Sequence, residues 1–278
     1  MKELMEGLVL IMEDYMKGNK EAWEEAFSMR DEAWGRDIVD HVRNSDYGYF
    51  NEDTAKVLRK IDCAGKTIAQ FCCNNGRELL SLVKSSGAAG GVGFDIAENQ
   101  VAFANEKAKE LGLPCTFVAT NILEIRDTYF GQFDVVIITT GALCWFKDLD
   151  AYFAVVSRCM KLDGIIVINE QHPCTNMLAM VGDEVYDVEN KLACKYSYFD
   201  HVWIGNDGMN YMVGKPYNSK TFTDFTHPLS EIMSAMCRNG LFITGFQEFE
   251  YDIADGFQNI QNQGYPLSMI IEGMKSHH

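Results

Sequence analysis

The 278-residue sequence lacks any apolar run of the roughly 18 residues that a membrane span requires. It is also short of basic charge. Lys and Arg number 24 against 40 Asp and Glu, a net charge of −16, with no Lys/Arg cluster. Such a chain repels phosphate backbones and anionic lipid, so neither nucleic acid nor a membrane is an expected partner. The nine cysteines include no Cys-x-x-Cys pair and no zinc-ligand spacing, so no metal site is expected. Most lie in apolar runs (Cys72, Cys115, Cys144, Cys159, Cys237), where cysteine acts as a small hydrophobe. That usage points to a reducing, cytoplasmic location. The N-terminus lacks the basic start and small-residue cleavage site of a signal peptide. Instead Leu4, Leu8, Ile11, Met12 and Tyr15 share one face of an expected amphipathic helix.

What is present is an ordinary globular balance, 47% apolar and 23% charged, and one informative stretch, Thr67–Asp95. It reads as a strand buried on both faces (Thr67–Cys72), a turn at Gly76, a helix (Arg77–Lys84) and a second strand (Gly91–Asp95) ending in an acid. An acid about 20 residues beyond the glycine of a βαβ turn is how a nucleoside-containing cofactor is held. The helix N-terminus faces one part of the cofactor, and the carboxylate accepts from the ribose hydroxyls.

Strand and helix continue to alternate. Strands are expected at Cys115–Ala119, Phe133–Thr139 and Gly164–Asn169, and helices at Glu98–Leu111 and Leu149–Leu162. This pattern predicts a parallel sheet covered on both faces. Residues 1–65 read as a helical extension, and 66–278 as the main domain. Residues 173–226 break the alternation with aromatic and β-branched segments. They are expected to form an antiparallel insertion beyond the carboxyl end of the fifth strand, the end that carries ligands in open α/β sheets. A helix then runs from His227-Pro228 to Arg238, followed by strands at Leu241–Tyr251 and Tyr265–Glu272.

Taken together, KTIAQFCCNNGRELLSL, GVGFDIAENQVAFANEKAKELGLPCTFVATNI, FDVVIITTGALCWFKDLDAYFAVVSRCMKLDGIIVI and FTHPLSEIMSAMCRNGLFITGFQEF resemble a class I S-adenosylmethionine (SAM)-dependent methyltransferase of the small-molecule type. The resemblance implies an α/β, Rossmann-like, seven-stranded and mostly parallel sheet with helices on both faces. Its strands should run third, second, first, fourth, fifth, seventh, sixth, the seventh antiparallel in an edge hairpin. It also implies SAM as cofactor and S-adenosylhomocysteine (SAH) as product.

The sequence departs from the family at the first strand, where an acid and Gly-x-Gly-x-Gly are usual. Gln70 stands at the acid position, Cys72 and Asn74 replace the first two glycines, and Gly76 remains. Asn tolerates left-handed backbone, so Asn74 or Asn75 is expected to stand in for Gly in the turn, and Cys is small enough for close approach. By the same resemblance Asp95 binds the ribose, Ile96 packs on the adenine, and Asn121 meets the adenine amino group. Ile122, Leu123 or both cover the other side of the ring. Thr139, Thr140 and Gly141 line the methionine part, and Trp145 lies where an acceptor approaches.

Methyl transfer from a sulfonium is an in-line displacement that needs alignment first. It needs a base only if the acceptor loses a proton. His172 and His227 are the candidate bases. The structural alternative is that His172 orders the loop before Pro173 and His227 caps a helix. Glu170 is a further candidate, or else an acceptor of backbone hydrogen bonds. Trp145, Tyr198 and Tyr211 are candidate liners of an acceptor pocket, with core packing as their alternative. The expected partner is a small-molecule acceptor, and the helical N-terminus is a candidate dimer face. Two other functions compete. One is a SAM-fold protein that binds without catalysis, suggested by Gln70, Cys72 and Asn74. The other is an NAD(P)-dependent oxidoreductase, disfavoured by the missing Gly-x-Gly-x-x-Gly.

Overall fold

The computed structural model describes residues 15–199, 202–206 and 208–276. The expected helical face at Leu4, Leu8, Ile11 and Met12 lies outside them. Seven strands form the main sheet: β1 (Thr67–Phe71), β2 (Gly90–Asp95), β3 (Cys115–Ala119), β4 (Phe133–Ile138), β5 (Met160–Gln171), β8 (Leu241–Phe249) and β9 (Ser268–Lys275). Their order is β3-β2-β1-β4-β5-β9-β8. The first five are parallel neighbours, and β9 is antiparallel to both β5 and β8. This is the order the resemblance implies.

The parallel core follows from side chains that are apolar on both faces. In β1, Ile68, Ala69 and Phe71 are fully buried, and so is Gln70. Helices α4 (Arg77–Ser86) and α5 (Glu98–Leu111) return the chain between strands. They end at Gly87 (φ +68) and Gly112 (φ +66), left-handed C-caps that glycine adopts without strain. Helix α6 (Leu149–Cys159) starts where the Asp148 carboxylate accepts from the Ala151 N–H at 3.0 Å. One face of the sheet packs Phe71, Phe94, Ile138 and Ile168 against Phe146, Tyr152 and Phe153 and against Ile232 and Met236 of α8 (Leu229–Arg238). The other packs Ile68, Val135 and Val167 against α4, α5, α2 (Ile38–Asn44) and α3 (Glu52–Lys60).

Two expected elements differ. Helix α6 stops three residues before Leu162, because Met160 already pairs with Phe133 at the start of β5. The chain then bulges before Ile165 pairs with Val135, with Asp163 at φ +59. Among the described residues, the insertion is antiparallel only in a three-residue ribbon, β6 (Trp203–Gly205) against β7 (Phe222–Asp224). Its Asn-Tyr-Met-Val segment instead forms one helical turn, α7 (Asn210–Val213), which Gly214 ends at φ +76. Met212 and Val213 turn inward while Tyr211 stays outside, a helical rather than an alternating burial pattern.

A third, smaller core sits over the carboxyl edge of the sheet. Ala22, Ala26 and Phe27 of α1 (Tyr15–Ser28) pack there with Met209, Met212, Val213 and Phe222 of the insertion. Asn19 fixes this contact. It is buried, its side-chain oxygen accepts from the Thr223 N–H at 2.7 Å, and its amide donates to the Thr223 carbonyl at 2.8 Å. One side chain thus completes the open edge of β7 as a neighbouring strand would. Helix α1 also ties to α5, where Glu24 accepts from the Glu98 N–H at 3.1 Å and Lys20 pairs with Glu98.

Candidate active site

The turn after β1 runs from Cys72 to Gly76. Cys72, Asn74 and Gly76 have φ of +58, +50 and +77, so alternate residues are left-handed. These are the three positions where the resemblance expects glycine. For Cys72 the conformation costs about 1–2 kcal/mol, and for Asn74 less. Gly76 cannot be replaced in the same way, because a Cβ there would lie 2.5 Å from the Phe117 ring and 2.9 Å from Ala104.

Asp95, at the end of β2, holds this turn. Its Oδ2 accepts from the Asn74 N–H at 2.7 Å and its Oδ1 from the Ala97 N–H at 3.0 Å. Burial raises its pKa, and the backbone N–H groups, Ile96 included, pull the other way. A carboxylate offers about four acceptor sites, so some stay open for hydroxyl donors.

Gln70 is placed differently from an acid that reaches a ligand. Its Oε1 accepts from the Leu79 N–H in the first turn of α4 at 3.2 Å, and its Nε2 donates to Thr139 Oγ1 at 3.0 Å. It therefore caps α4, whose N-cap Gly76 has no side chain, and joins that helix to the end of β4.

Glu170, near the end of β5, is buried, and every contact to its oxygens is a backbone N–H. Gly141 donates at 2.6 Å, Ala142 at 3.1 Å, Leu143 at 3.5 Å and Gln171 at 3.1 Å. The carboxylate thus shapes the loop after β4. Gly141 has φ +80 and nothing within 4 Å of a built Cβ, so the loop opens onto free space there.

On the β2–β3 side, Ile96 is half-buried at the carboxyl edge. Asn121 bends its side-chain oxygen back to accept from the Leu123 N–H at 3.0 Å, which leaves its amide group to face outward bonds. Ile122 is buried among Phe71, Phe94 and Ile125 in the main core, while Leu123 remains half-buried beside it. Of this pair only Leu123 has surface to offer a ring.

On the other side, Trp145 stands edge-on to Trp23 of α1 (centroids 5.5 Å apart) and to Phe222 of β7 (6.2 Å). Tyr211 exposes much of its ring, yet its hydroxyl end lies close to Asn74, Arg77, Glu78 and Asp95. Burial of that end pushes its pKa up to about 12. Tyr211 therefore bridges the insertion to the β1 turn. Tyr198 does not join it: its hydroxyl accepts from the Leu229 N–H at 2.9 Å and caps α8.

Both histidines have structural partners. His172 Nδ1 accepts from the Cys174 N–H at 3.1 Å, capping the turn at Pro173–Met177, and its Nε2 lies 2.9 Å from Glu248. Burial lowers its pKa and outweighs Glu248, which favours the neutral ring. His227 Nε2 lies 2.9 Å from the Phe146 carbonyl and its Nδ1 3.2 Å from Glu231. His172 Nε2 and His227 Nδ1 are buried within ion-pair distance of Glu248 and Glu231 but make no aligned hydrogen bond among the described residues.

All nine cysteines are free. Burial, with help from Asp95 and Glu170, holds Cys72 well above the usual thiol range. Cys144 is raised in the same way, by burial and then Asp224 and Glu170. Both stay protonated and poorly nucleophilic. Among the described residues no three His, Cys, Asp or Glu side chains gather as a metal site. Reading the sequence did not single out Trp23 or Asn19. Their only signal was the amphipathic pattern of the first helices, which does not show what the apolar face covers.

Residues 68–164 match the family profile of a methyltransferase domain. No curated protein matches the chain. Among solved structures it is similar to one from Listeria monocytogenes described as an S-adenosylmethionine-dependent methyltransferase. The two are 18% identical with a TM-score of 0.61, covering 80% of this chain and 97% of the other. It is also similar to an S-adenosylmethionine-dependent methyltransferase from Mesorhizobium loti (16%, TM-score 0.60, 84% and 99%). A third is the geranyl diphosphate C-methyltransferase of Streptomyces coelicolor, solved with Mg2+, geranyl diphosphate and SAH (16%, TM-score 0.54, 81% and 80%). Residues 68–164 thus resemble a methyltransferase domain, and the fold of the chain is that of solved S-adenosylmethionine-dependent methyltransferases.

Proposed function

We propose that this chain binds SAM at the carboxyl edge of β1, β2 and β4 and moves its methyl group to a small-molecule acceptor. The observation that carries the reading is the β1 turn. Cys72, Asn74 and Gly76 keep its left-handed conformations without the first two glycines, and the Asp95 carboxylate is hydrogen-bonded into it. When bound, the cofactor supplies an electrophilic methyl on a sulfonium. An acceptor that the chain's residues align behind that carbon would take the methyl, and the electron pair of the carbon–sulfur bond would stay on sulfur.

The chain's own residues bind, orient and exclude water. Asp95 takes the ribose hydroxyls, with Ile96, Leu123 and the Asn121 amide on the adenine side. The backbone of 72–76 and the loop 139–141 hold the methionine part. Trp145 and Tyr211 border the acceptor, and the core of α1 and the insertion closes over them and keeps water out. His172 and His227 each spend one ring nitrogen on a backbone hydrogen bond within the fold, and in this reading the acceptor attacks without a histidine base.

In this reading residues 66–278 form the methyltransferase domain, 173–226 its insertion and 1–65 a helical extension. Through α1 that extension is part of the acceptor enclosure. Nine free cysteines favour a cytoplasmic setting, and no described helix is long and apolar enough to cross a membrane. A second reading, binding without turnover, is favoured by Gln70, whose amide is bonded to Leu79 and Thr139 inside the fold.

Calorimetry with SAM and SAH, with NAD and NADP as controls, tests the first step. Micromolar binding of the sulfur compounds alone is expected. Binding of a nicotinamide instead would overturn the proposal. If SAM binds but no acceptor in a broad screen is methylated, the non-catalytic reading takes its place.

A further inference from the structure

We propose that Gln70 is a positioning residue that frees the Thr139 hydroxyl to donate a hydrogen bond, and that this donor takes the α-carboxylate of the bound cofactor. The inference rests on the SAM reading above. It adds which end of the methionine part the loop after β4 recognises.

The Gln70 amide can sit in only one orientation. Its partner in α4 is the Leu79 N–H, which only donates, so the atom facing Leu79 is Oε1. That leaves Nε2 toward Thr139, donating to Oγ1 at 3.0 Å. The Thr139 hydroxyl therefore accepts from Gln70, and its own hydrogen turns elsewhere. A carboxylate at position 70 would accept from both neighbours and hold that hydrogen inside the fold. Among the described residues neither the Thr139 hydroxyl hydrogen nor the second Nε2 hydrogen of Gln70 has an acceptor.

Both hydrogens lie near the carboxyl edge. Gln70 is in register with Ile137 of β4, and Thr139 is two residues further on, so it shares the Gln70 face one step nearer the edge. Gln70 is fully buried and Thr139 half-buried. Of the two, the hydroxyl has surface to offer a ligand. Leu79, at the other end of the amide, belongs to the first turn of α4, a ten-residue helix whose N-terminus carries partial positive charge. The methionine part of SAM ends in an ammonium group, which only donates, and a carboxylate, which only accepts. A hydroxyl with a hydrogen to give, beside the positive end of a helix, selects the carboxylate.

The test compares SAM with its decarboxylated analogue, which keeps the sulfonium and the amino group. Calorimetry gives the ratio of the two dissociation constants in the wild type, Thr139→Val, Thr139→Ser and Gln70→Glu. A looser site weakens both ligands alike, so the ratio reads the carboxylate alone. The wild type should favour SAM. Thr139→Val should lose about tenfold of that preference, the loss of one hydrogen bond to a charged group. Thr139→Ser keeps the hydroxyl and should keep the preference. Gln70→Glu draws the hydroxyl hydrogen back and should lose the preference too. Adding Thr139→Val to Gln70→Glu should then leave the ratio where it is.

An unchanged ratio in a folded Thr139→Val overturns the proposal. So does a fall in the ratio that is as large in the Gln70→Glu background as in the wild type, since Thr139 would then act without Gln70. Should Thr139→Val not fold, the other two variants decide. A ratio kept in Thr139→Ser and lost in Gln70→Glu supports the proposal, and a ratio kept in Gln70→Glu overturns it. A wild type that binds the decarboxylated analogue as tightly as SAM overturns this inference and leaves the SAM reading in place. Absence of binding to both would instead overturn the SAM reading itself.

Discussion

The two sides of the carboxyl edge are built by different physics. On the side proposed for the cofactor, side chains are bonded mainly to backbone. Asp95 accepts from Asn74 and Ala97, Gln70 bridges Leu79 and the Thr139 hydroxyl, and Glu170 gathers the N–H groups after β4. On the side proposed for the acceptor, aromatic rings meet edge to face, with Trp145 between Trp23 and Phe222, and Asn19 is tied to Thr223. Backbone N–H groups point in fixed directions, so the first arrangement is rigid and suits a cofactor that does not vary. Ring contacts can slide and re-pack, and the second arrangement suits an enclosure that must admit and release an acceptor.

The largest break in this contrast comes from Asp95→Ala. Two buried N–H groups lose their acceptor and the ribose loses its partner, so SAM affinity should fall by about 1–3 kcal/mol. The turn itself should also loosen. Calorimetry reads the first effect and urea unfolding the second. A folded variant with full affinity would remove Asp95 from the site.

Trp145→Ala should do the reverse. It removes two edge-to-face pairs, each worth about 0.5–1.5 kcal/mol, from the enclosure but leaves the β1 turn intact. With a methylated acceptor in hand, kcat/KM should drop at least about tenfold while SAM binding changes less. A variant that loses SAM but not turnover would show that Trp145 serves the cofactor side.

The contrast also marks how far the sequence could be read. Strands β1 and β4 were legible because burial on both faces forces continuous apolar runs, and helix α5 because a glycine stops it. Cys72 and Asn74 were legible as stand-ins for glycine because small size and tolerance of left-handed backbone are properties of single residues. The enclosure was not. Asn19 and Thr223 are 204 residues apart, and no local pattern announces a side chain that imitates a strand. Tyr198 and Tyr211 both sit in aromatic segments, yet one caps α8 and the other reaches the β1 turn. Gln70 suggested a ligand contact by its place, and the structure shows its amide bonded to Leu79 and Thr139, with one donor and one acceptor position beyond those bonds. His172 and His227 were read with both alternatives open, and the bonds they make are structural.

Asn19→Ala sharpens the comparison at lower cost. Two hydrogen bonds to Thr223 are lost and its N–H and carbonyl are left buried, a penalty of about 1–3 kcal/mol confined to the enclosure. Amide exchange should quicken in 220–226 and α1 while the β1 turn stays protected. Uniform loss of protection would mean that the two sides unfold together.

The smallest effect is expected at Cys72. Replacing it by Gly relieves about 1–2 kcal/mol of left-handed strain. Against this stand about 0.5–1 kcal/mol of unfolded-chain entropy and about 1 kcal/mol for the partly buried thiol. The terms nearly cancel, so stability and SAM affinity should both change little. Cys72→Val gains no relief and adds a β-branch at φ +58, a conformation such residues almost never adopt, so it should be clearly less stable than Cys72→Gly. This pair separates geometry from chemistry in the rigid half of the site. If Gly is tolerated and Val is not, the backbone angle is what position 72 supplies, and cysteine is there because it is small. A large loss of affinity in Cys72→Gly, with the fold intact, would show instead that the thiol itself contacts the cofactor.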